Sequence, residues 1–600
     1  MRLGLRENVE RAGTFSHRLP FGANSIGDGR VRFRLYAPAQ QSVSLDIEGA
    51  AAPVAMRKVG GGWFQIDAPC GPGARYAYVL DDGKRVPDPA SRAQSGDVHD
   101  RSIVVDPASY SWRHADWRGR PWVETVLYEL HCGVFGGFRG VAQQLPRLAE
   151  LGVTAIELMP INAFPGQRNW GYDGVLPFAP DASYGSPDDL KALVDAAHGY
   201  GLMVFLDVVY NHFGPDGNYL SDYAPTMFRA DRSSPWGRPI DFRLPATRQF
   251  FRENALYWLM EYRFDGLRFD AVHEIGDPDW LDEVAAHVRA KIEPDRHVHL
   301  VLENEFNVAS HLRGGFDAQW NDDLHHVLHV LLTGESEGYY IDYVEDVVAK
   351  LARGLAEGFV YQGEPSKHRD GKPRGEPSGE LPPTAFVMSL QNHDQIGNRA
   401  FGDRLTTLSD PAALEAATAL QLLAPHIPLV FMGEDVASRT PFLFFTDHSR
   451  ALADTVREGR RREFAKFAAF SDPARREAIP DPNALSTFEM SAPQPDPQRG
   501  EARRDLYRRL LALRRGEIVP RLQGARALAA LVAGPAAVVA TWRMADGAIL
   551  AIAINLGAEP APCESPRGRL LFESAAGAGA AAQDGRLLAR STVAFLEPAP

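Results

Sequence analysis

The stretch LMVFLDVVYNH, residues 202–212, decides the fold class. Its first five residues, Leu202–Leu206, are apolar and favour a buried strand, and Asp207 follows directly at the carboxyl end. The residues before it carry the start and stop signals of a helix, with a capping Ser186 followed by a proline and two acids, and a closing Gly201. A helix that leads into a buried strand is the repeating unit of α/β proteins with a parallel sheet.

The same helix-then-strand pattern recurs through the middle of the chain. Several such units in one chain favour a (β/α)8 barrel over a doubly wound sheet. The central part of the chain is therefore predicted to be a TIM barrel. The helix and strand pairs are residues 143–151 with 153–159, 247–262 with 266–269, and 278–292 with 299–302.

The pattern changes on both sides of this central part. Residues 1–105 show short alternating runs separated by Gly, Pro and Asp, which predict an N-terminal β-sandwich. Residues 106–500 would hold the barrel with its inserted loops, and residues 501–600 a helix and a C-terminal β-domain. The Pro-, Gly- and charge-rich stretch 362–383 has no period and is predicted to be a flexible surface loop rather than a lid. The expected fold is multidomain, with a central (β/α)8 TIM barrel.

Composition argues against several classes of protein. The 600 residues contain 77 acidic and 64 basic side chains, a net charge of −13, whereas a nucleic-acid-binding protein needs a basic surface. No apolar run approaches the roughly 18–20 residues that cross a bilayer, and the N-terminus lacks the apolar segment of a secretory signal. Cys70, Cys132 and Cys563 are too scattered for a disulfide framework or a zinc site. The sequence predicts a soluble cytoplasmic protein that binds neither nucleic acid nor membrane.

Four predicted strands each deliver a carboxylate at or just past their carboxyl end. In a (β/α)8 barrel those ends converge on one pocket, so the four groups are expected to lie together. Converging carboxylates without a phosphate loop or a metal-binding pattern suit the cleavage of a glycosidic bond, which needs one ionised and one protonated carboxyl. The four residues are Asp207, Asp270, Glu303 and Asp394, the last of them after a strand predicted at 385–390.

Spacing along one strand gives a partner to one of these acids. Arg268 lies two residues before Asp270, and residues i and i+2 of a strand face the same side, so the guanidinium can hold that carboxylate ionised as a nucleophile. The proton-donating acid is instead expected to lack a close cation, because a cation would lower its pKa. Glu303 and Glu305 share a face, so spacing alone leaves the choice between them open.

These residues also carry a family resemblance. Segments 207–212, 266–270 and 392–395, together with Glu303, are similar in order and spacing to the four motifs of the α-amylase superfamily, glycoside hydrolase family 13. Within it, from about residue 17 to the end, the chain most resembles the hydrolases that act on maltooligosyl trehalose. The stretches that carry this closer resemblance are 166–173, 211–220, 320–326, 333–340 and 440–448.

The resemblance implies a retaining glycoside hydrolase that cleaves the α-1,4-glucosidic bond next to the terminal trehalose of maltooligosyl trehalose. Asp270 would be the nucleophile, Glu303 the general acid and base, and Asp394 the stabiliser of the transition state. Neither a metal ion nor another cofactor is expected. The resemblance also implies substrate contacts from Tyr172, His212, Trp236, Arg268, His273, Trp320, Asp322, Asp323, His325, His393 and Gln395, with Tyr172 stacked on the sugar in the cleaved subsite.

Two other functions stay open at this point. A glucan branching transglycosidase would use the same three carboxyl groups but exclude water from the covalent intermediate. A non-catalytic glycan-binding protein is suggested by the N-terminal sandwich, which is expected to be similar to carbohydrate-binding modules. The presence of all three carboxyl groups, Asp270, Glu303 and Asp394, argues against a purely glycan-binding function. The chain departs from the family at Asn304, where relatives often have an aspartate, and Glu303 is still expected to be the acid.

Overall fold

The computed structural model describes residues 13–232 and 237–599 and has a closed barrel of eight parallel strands in the middle of the chain. Parallel pairing runs around the whole ring, from β1 to β2 and finally from β8 back to β1. The predicted (β/α)8 barrel is confirmed. Strands β1 to β8 are Leu127–Leu130, Ala155–Leu158, Met203–Val208, Gly266–Phe269, His299–Leu302, Ala318–Trp320, Phe386–Ser389 and Ile427–Phe431.

Helices occupy the connections between these strands. Helix Pro187–Gly199 begins with the capping box that its sequence predicts, because the Ser186 hydroxyl accepts the backbone N–H of Asp189 and the Asp189 carboxylate accepts that of Ser186. Among the described residues, no helix is both long and apolar enough to cross a membrane. The other helices of ten or more residues are Pro245–Met260, Asp279–Lys291, Asp322–Thr333, Val347–Glu357, Pro411–Leu423, Arg450–Phe464 and Gly500–Leu513, and a shorter one is Leu145–Leu151.

The interior of the barrel has an apolar layer below a polar one. Alternate residues of a strand face the same side, so a residue two positions beyond an apolar interior residue also faces the interior. The apolar layer closes the amino-terminal part of the barrel, and the polar layer lies beneath a cleft at the carboxyl ends. The apolar layer includes Leu127, Ala155, Phe205, Val301, Trp320 and Leu429, and the polar layer includes Glu129, Glu157, Asp207 and Arg268, all of them buried.

A β-domain flanks the barrel on each side in sequence, as the predicted fold class requires. The N-terminal part has two antiparallel sheets, which pack around buried rings such as Phe33 and Tyr76, 4.8 Å apart. Their longer strands are Gly22–Gly27, Arg30–Tyr36, Ser44–Ile47, Arg57–Gly60, Trp63–Pro69 and Arg75–Val79. The C-terminal five-stranded sheet consists of Arg526–Gly534, Ala537–Arg543, Ile549–Asn555, Arg569–Glu573 and Ser591–Glu597.

The stretch 362–383 differs from the surface loop that its composition predicts. It contains a β-hairpin, Glu364–Ser366 with Lys372–Arg374, and both Ser366 and Arg374 are buried. The Arg374 guanidinium forms an ion pair with Asp323 at 3.1 Å, and the Ser366 hydroxyl donates to Asp342 at 2.6 Å. Two polar residues of this stretch, Ser366 and Arg374, are therefore partnered inside the protein, whereas most of its other charged residues are exposed.

One glycine of β4 leaves room for a neighbouring ring and offers a test of the barrel packing. A Cβ on Gly266 would lie 2.1 Å from Cε1 of Phe205, which is fully buried on β3. We expect Gly266→Ala to lower the free energy of unfolding by about 1–3 kcal/mol, the usual effect of overpacking a core, measured as a lower midpoint of urea unfolding. Gly71→Ala, where a Cβ meets nothing within 4 Å, is the control and should change stability by less than about 0.5 kcal/mol.

Candidate active site

A single buried arginine organises the carboxyl ends of the barrel strands. Arg268 of β4 is fully buried, and its Nη1 donates to Asp207 Oδ2 at 2.6 Å and to Asp270 Oδ1 at 2.8 Å. Its Nη2 lies 2.6 Å from Glu303 Oε2. The flat face of the guanidinium rests on the ring of Trp320, 4.3 Å from the ring centroid. Three carboxylates from three neighbouring strands thus share one cation.

The i, i+2 spacing predicted the contact between Arg268 and Asp270, and the structure has it. The expectation that the proton-donating acid lacks a close cation is wrong for Glu303. Strands β4 and β5 are adjacent in the ring, with Phe269 paired to Leu302, so the residues that follow them lie side by side. One planar guanidinium can then contact both carboxyl groups, through different nitrogens.

Asp270 and Glu303 form a coupled pair of acids. Burial and the nearby charge of Glu303 raise the pKa of Asp270 well above its ordinary value, although Arg268 and a hydrogen bond from Asn211 at 2.8 Å oppose the rise. Burial also disfavours the ionised form of Glu303, but Arg268, His273 and the backbone N–H of Ala271 together lower its pKa. These directions place the proton of the pair on Asp270 in the empty cleft, so it has to pass to Glu303 when the substrate binds, because glycosidic cleavage needs an ionised nucleophile and a protonated acid.

The acids open onto a cleft of about 430 Å³ at the carboxyl end of the barrel. Asp394 also lines this cleft, with its side chain 38% exposed and its Oδ1 3.6 Å from His393 Nε2. The ring of Tyr172 stacks on that of His393, with centroids 5.1 Å apart, and the two rings form one wall. The predicted residues that line the cleft are Tyr172, His212, Asp270, His273, Glu303, Asp322, His393, Asp394 and Gln395.

Four of the predicted contact residues do not line the cleft. Arg268 and Trp320 lie beneath it, where the tryptophan supports the guanidinium. Asp323 is buried in the other direction and accepts the backbone N–H groups of Val360 and Tyr361. His325 is also buried, with its Nδ1 2.8 Å from the Leu390 carbonyl oxygen. Trp236 falls outside the residues that the structure describes.

The two glutamates of the third motif have different surroundings. The Glu303 side chain is 14% exposed and contacts Arg268, whereas that of Glu305 is 44% exposed and lies at the rim, 3.5 Å from Arg369. The strand ends at Leu302, so Glu303 still belongs to the barrel wall. This geometry separates two residues that spacing alone could not.

Sequence reasoning missed the part of the cleft wall that comes from outside the barrel strands. Ser366, His368 and Arg374 of the inserted hairpin line the cleft, with Tyr343, whose hydroxyl accepts a hydrogen bond from Arg374 at 2.5 Å. No periodic signal marks these residues, because they follow turns and a short hairpin. No group of three or more His, Cys, Asp or Glu side chains within 13–232 and 237–599 is arranged to hold a metal ion.

Comparisons with known proteins agree with this geometry. Residues 101–232 match the α-amylase catalytic-domain family, and residues 525–595 match a domain of unknown function, DUF3459. The malto-oligosyltrehalose trehalohydrolase of Deinococcus radiodurans is 43% identical over 84% of this chain and 84% of its own length. The chain belongs to the malto-oligosyltrehalose trehalohydrolase family.

Two further proteins show how far the similarity to this trehalohydrolase family extends. The trehalohydrolase of Saccharolobus solfataricus is 41% identical over 74% of this chain and 80% of its own length. A crystal structure from Salmonella typhimurium that is described as an α-amylase is 45% identical, superposes with a TM-score of 0.91, and covers 97% of this chain and 100% of that one. Membership in the superfamily and the fold are therefore both shown over nearly the whole length.

Replacing the proposed nucleophile tests the site directly. We expect Asp270→Asn to lower kcat by several orders of magnitude, because an amide cannot attack the sugar, while the near-identical shape preserves the hydrogen bond from Arg268. The measurement is kcat with maltotriosyl trehalose beside the thermal unfolding temperature of the same preparation. A folded Asp270→Asn protein with more than about a tenth of the original kcat would contradict the assignment.

Proposed function

We propose that this chain hydrolyses the α-1,4-glucosidic bond next to the terminal trehalose of maltooligosyl trehalose, with retention of configuration, and releases trehalose and a maltooligosaccharide. The observation that carries the proposal is the contact of Asp270 and Glu303 with one guanidinium beneath the cleft, which Asp394 also lines. The supporting relatives have the name trehalohydrolase and match over most of their length. The reaction class is that of EC 3.2.1.141.

In the first step Asp270 attacks the anomeric carbon of the sugar in the cleaved subsite. A bond forms from a carboxylate oxygen to that carbon, and the bond from the carbon to the trehalose oxygen breaks. Glu303 gives its proton to the departing oxygen, so trehalose leaves neutral. Asp394, which is half-exposed to the cleft, lies where a carboxylate can stabilise the positive charge that develops on the sugar ring.

In the second step water replaces trehalose. Glu303, now ionised, takes a proton from the water, whose oxygen attacks the anomeric carbon and releases Asp270. Each carboxyl group returns to its starting ionisation, so one shared proton suffices for the whole cycle. Arg268 contacts both groups and stabilises whichever of them is ionised at each stage of the cycle.

The remaining predicted contacts are proposed in two groups. Tyr172, His212 and His393 line the cleft beside Asp270 and would hold the cleaved sugar. For the trehalose end, the family resemblance implies Trp236 and the segment from Trp320 to His325; of these, Asp322 lines the cleft and is the contact that we propose. Burial, with Glu303 close by, raises the pKa of the Asp322 carboxyl to about 8, so it can donate a hydrogen bond to a sugar hydroxyl at neutral pH. His273 and Gln395 also line the cleft and are proposed substrate contacts.

The limits of the domains and the location of the protein are also proposals. We propose a carbohydrate-binding-module-like sandwich over 1–105, a catalytic barrel over 106–500 and a C-terminal β-domain over 501–600, as the pattern changes in the sequence suggest. The three scattered cysteines are unpaired in the structure and suit a reducing compartment, which supports a cytoplasmic location.

The product identifies the reaction. Maltotriosyl trehalose incubated with the protein should give trehalose and maltotriose in equal amounts. The released sugars are identified and quantified by chromatography. The Asp270→Asn protein, purified in the same way, controls for a contaminating hydrolase. New α-1,6 linkages formed from amylose would instead indicate the branching transglycosidase, and binding of the glucan without any product would indicate the glycan-binding protein.

A second experiment separates the two glutamates. We expect Glu303→Ala to abolish cleavage of the natural substrate, whose leaving sugar needs a proton, but to spare the first step with an aryl α-maltooligoside whose leaving group departs unprotonated. Azide should then restore turnover, because it attacks the glycosyl-enzyme without help from a base. Glu305→Ala is the matched variant and should behave like the unmodified protein. Azide rescue of Glu305→Ala in place of Glu303→Ala would reverse the assignment.

A further inference from the structure

A buried glutamate on the first barrel strand contacts a histidine of the cleft wall. Glu129 of β1 is 1% exposed, and its Oε1 lies 2.5 Å from His393 Nδ1. Its Oε2 accepts the backbone N–H of the same histidine at 3.2 Å. Glu129 therefore fixes both the position of the His393 backbone and the orientation of its ring. It does not line the cleft, so it can act only through His393.

The hydrogen bonds on the other side of the ring determine how many protons it carries. Tyr172 donates its hydroxyl hydrogen to Asp207 Oδ2 at 2.6 Å, and that oxygen also accepts from Arg268, as an ionised carboxylate does. The tyrosine oxygen lies 2.8 Å from His393 Nε2, so this contact needs a hydrogen on Nε2. The Nδ1 atom faces a carboxylate and carries a hydrogen as well. A histidine with hydrogens on both nitrogens is positively charged.

The other charged groups around His393 act in both directions. Asp394 lies 3.6 Å from Nε2 and favours the charged ring, whereas Arg268 and burial oppose it. The further titratable groups near the ring are His131, Glu157, Asp207 and Glu303. Burial lowers the pKa of His393, but Glu129 and Asp394 outweigh it and raise that pKa to about 9.

We propose that Glu129 is a positioning residue that keeps His393 positively charged and its ring fixed at the wall of the cleft. Its loss would free the ring and remove the main partner of its charge. The charge offsets the carboxylates of Asp207 and Asp394, and the fixed ring supports Tyr172, on which it stacks. The inference rests on the proposed function, since it concerns the same cleft.

The sign of the pH effect follows from the direction of the shift. A histidine whose pKa is raised stays charged up to that pKa and loses its charge above it. In the unmodified protein the charge persists to about pH 9. Without the carboxylate of Glu129, burial and the remaining partner Asp394 oppose each other and the pKa falls towards the ordinary value near 6.5, so the charge is lost in a pH range where the unmodified protein keeps it.

The test compares Glu129→Gln with Glu157→Gln. Glu157 lies directly beside Glu129 on β2, is equally buried, and has no hydrogen-bond partner for either carboxyl oxygen among the described residues. Burial and neighbouring acids raise its pKa well above the ordinary value, which favours the neutral form that an amide resembles. The two variants make the same chemical change in the same layer of the barrel, but only one of them touches His393.

The readout is kcat/KM relative to the unmodified protein at pH 5.5 and at pH 8. Glu129→Gln should lose at least about tenfold more at pH 8 than at pH 5.5, because a histidine with a pKa of about 6.5 is mostly neutral at the higher pH. Glu157→Gln should show no difference between the two pH values. A loss in Glu129→Gln that is equal at both values, as a merely structural role would give, overturns the proposal.

A measurement on the unmodified protein covers the case in which Glu129→Gln does not fold. The ring nitrogens of His393, labelled with nitrogen-15 and assigned by comparison with His393→Gln, should both be protonated at pH 7.5. A neutral ring at that pH overturns the proposal whatever the activity. If the unmodified protein hydrolyses nothing, the proposed function fails, whereas the charge of His393 is still decided by this spectrum.

Discussion

The burial of the Arg268 guanidinium is the constraint on which the rest of the site depends. An unpaired charge in a protein interior is highly unfavourable, and so are three carboxylates within a few ångströms of one another. Pairing reduces both electrostatic penalties here, since the Arg268 guanidinium lies within 2.8 Å of Asp207, Asp270 and Glu303. Closure of the barrel brings β3, β4 and β5 together, and Trp320 supports the cation from below. The fold and the ionisation of the acids are thus coupled through one side chain.

The sequence was sufficient to predict the fold class and the three central acids, for identifiable reasons. Strands β3 and β5 contain apolar runs that are followed directly by an acid, and in β4 the one charged residue, Arg268, lies at i, i+2 from the acid that follows the strand. Strands β1, β6 and β8 were not singled out. β1 has the polar Glu129 within a four-residue strand, β6 is only three residues long, and β8 contains a proline. Short or interrupted strands give too little periodicity to detect.

The site could not be predicted completely because some contacts depend on neighbours far away in the chain. Asp323 and His325 belong to a segment that reads as substrate-binding, yet the turn of helix Asp322–Thr333 directs Asp322 to the cleft and the other two away from it. The expected environment of Glu303 was wrong because the strand pairing between β4 and β5 is not visible in the spacing of either strand alone. Arg374 gave no signal, since its partners Asp323 and Tyr343 are distant in sequence.

The apolar layer beneath the acids limits how protons can enter and leave the site. Leu127, Phe205, Val301 and Leu429 close the barrel from below, and Trp320 covers the guanidinium, so the cleft is the route by which water reaches the acids. A sugar ring that fills the cleft closes that route. From then until trehalose leaves and water enters, the acids, His393 and Arg268 form an isolated compartment with a fixed number of protons. The enzyme must therefore take up the correct number before the substrate binds, and the pH of the solution acts on the empty protein rather than on the complex.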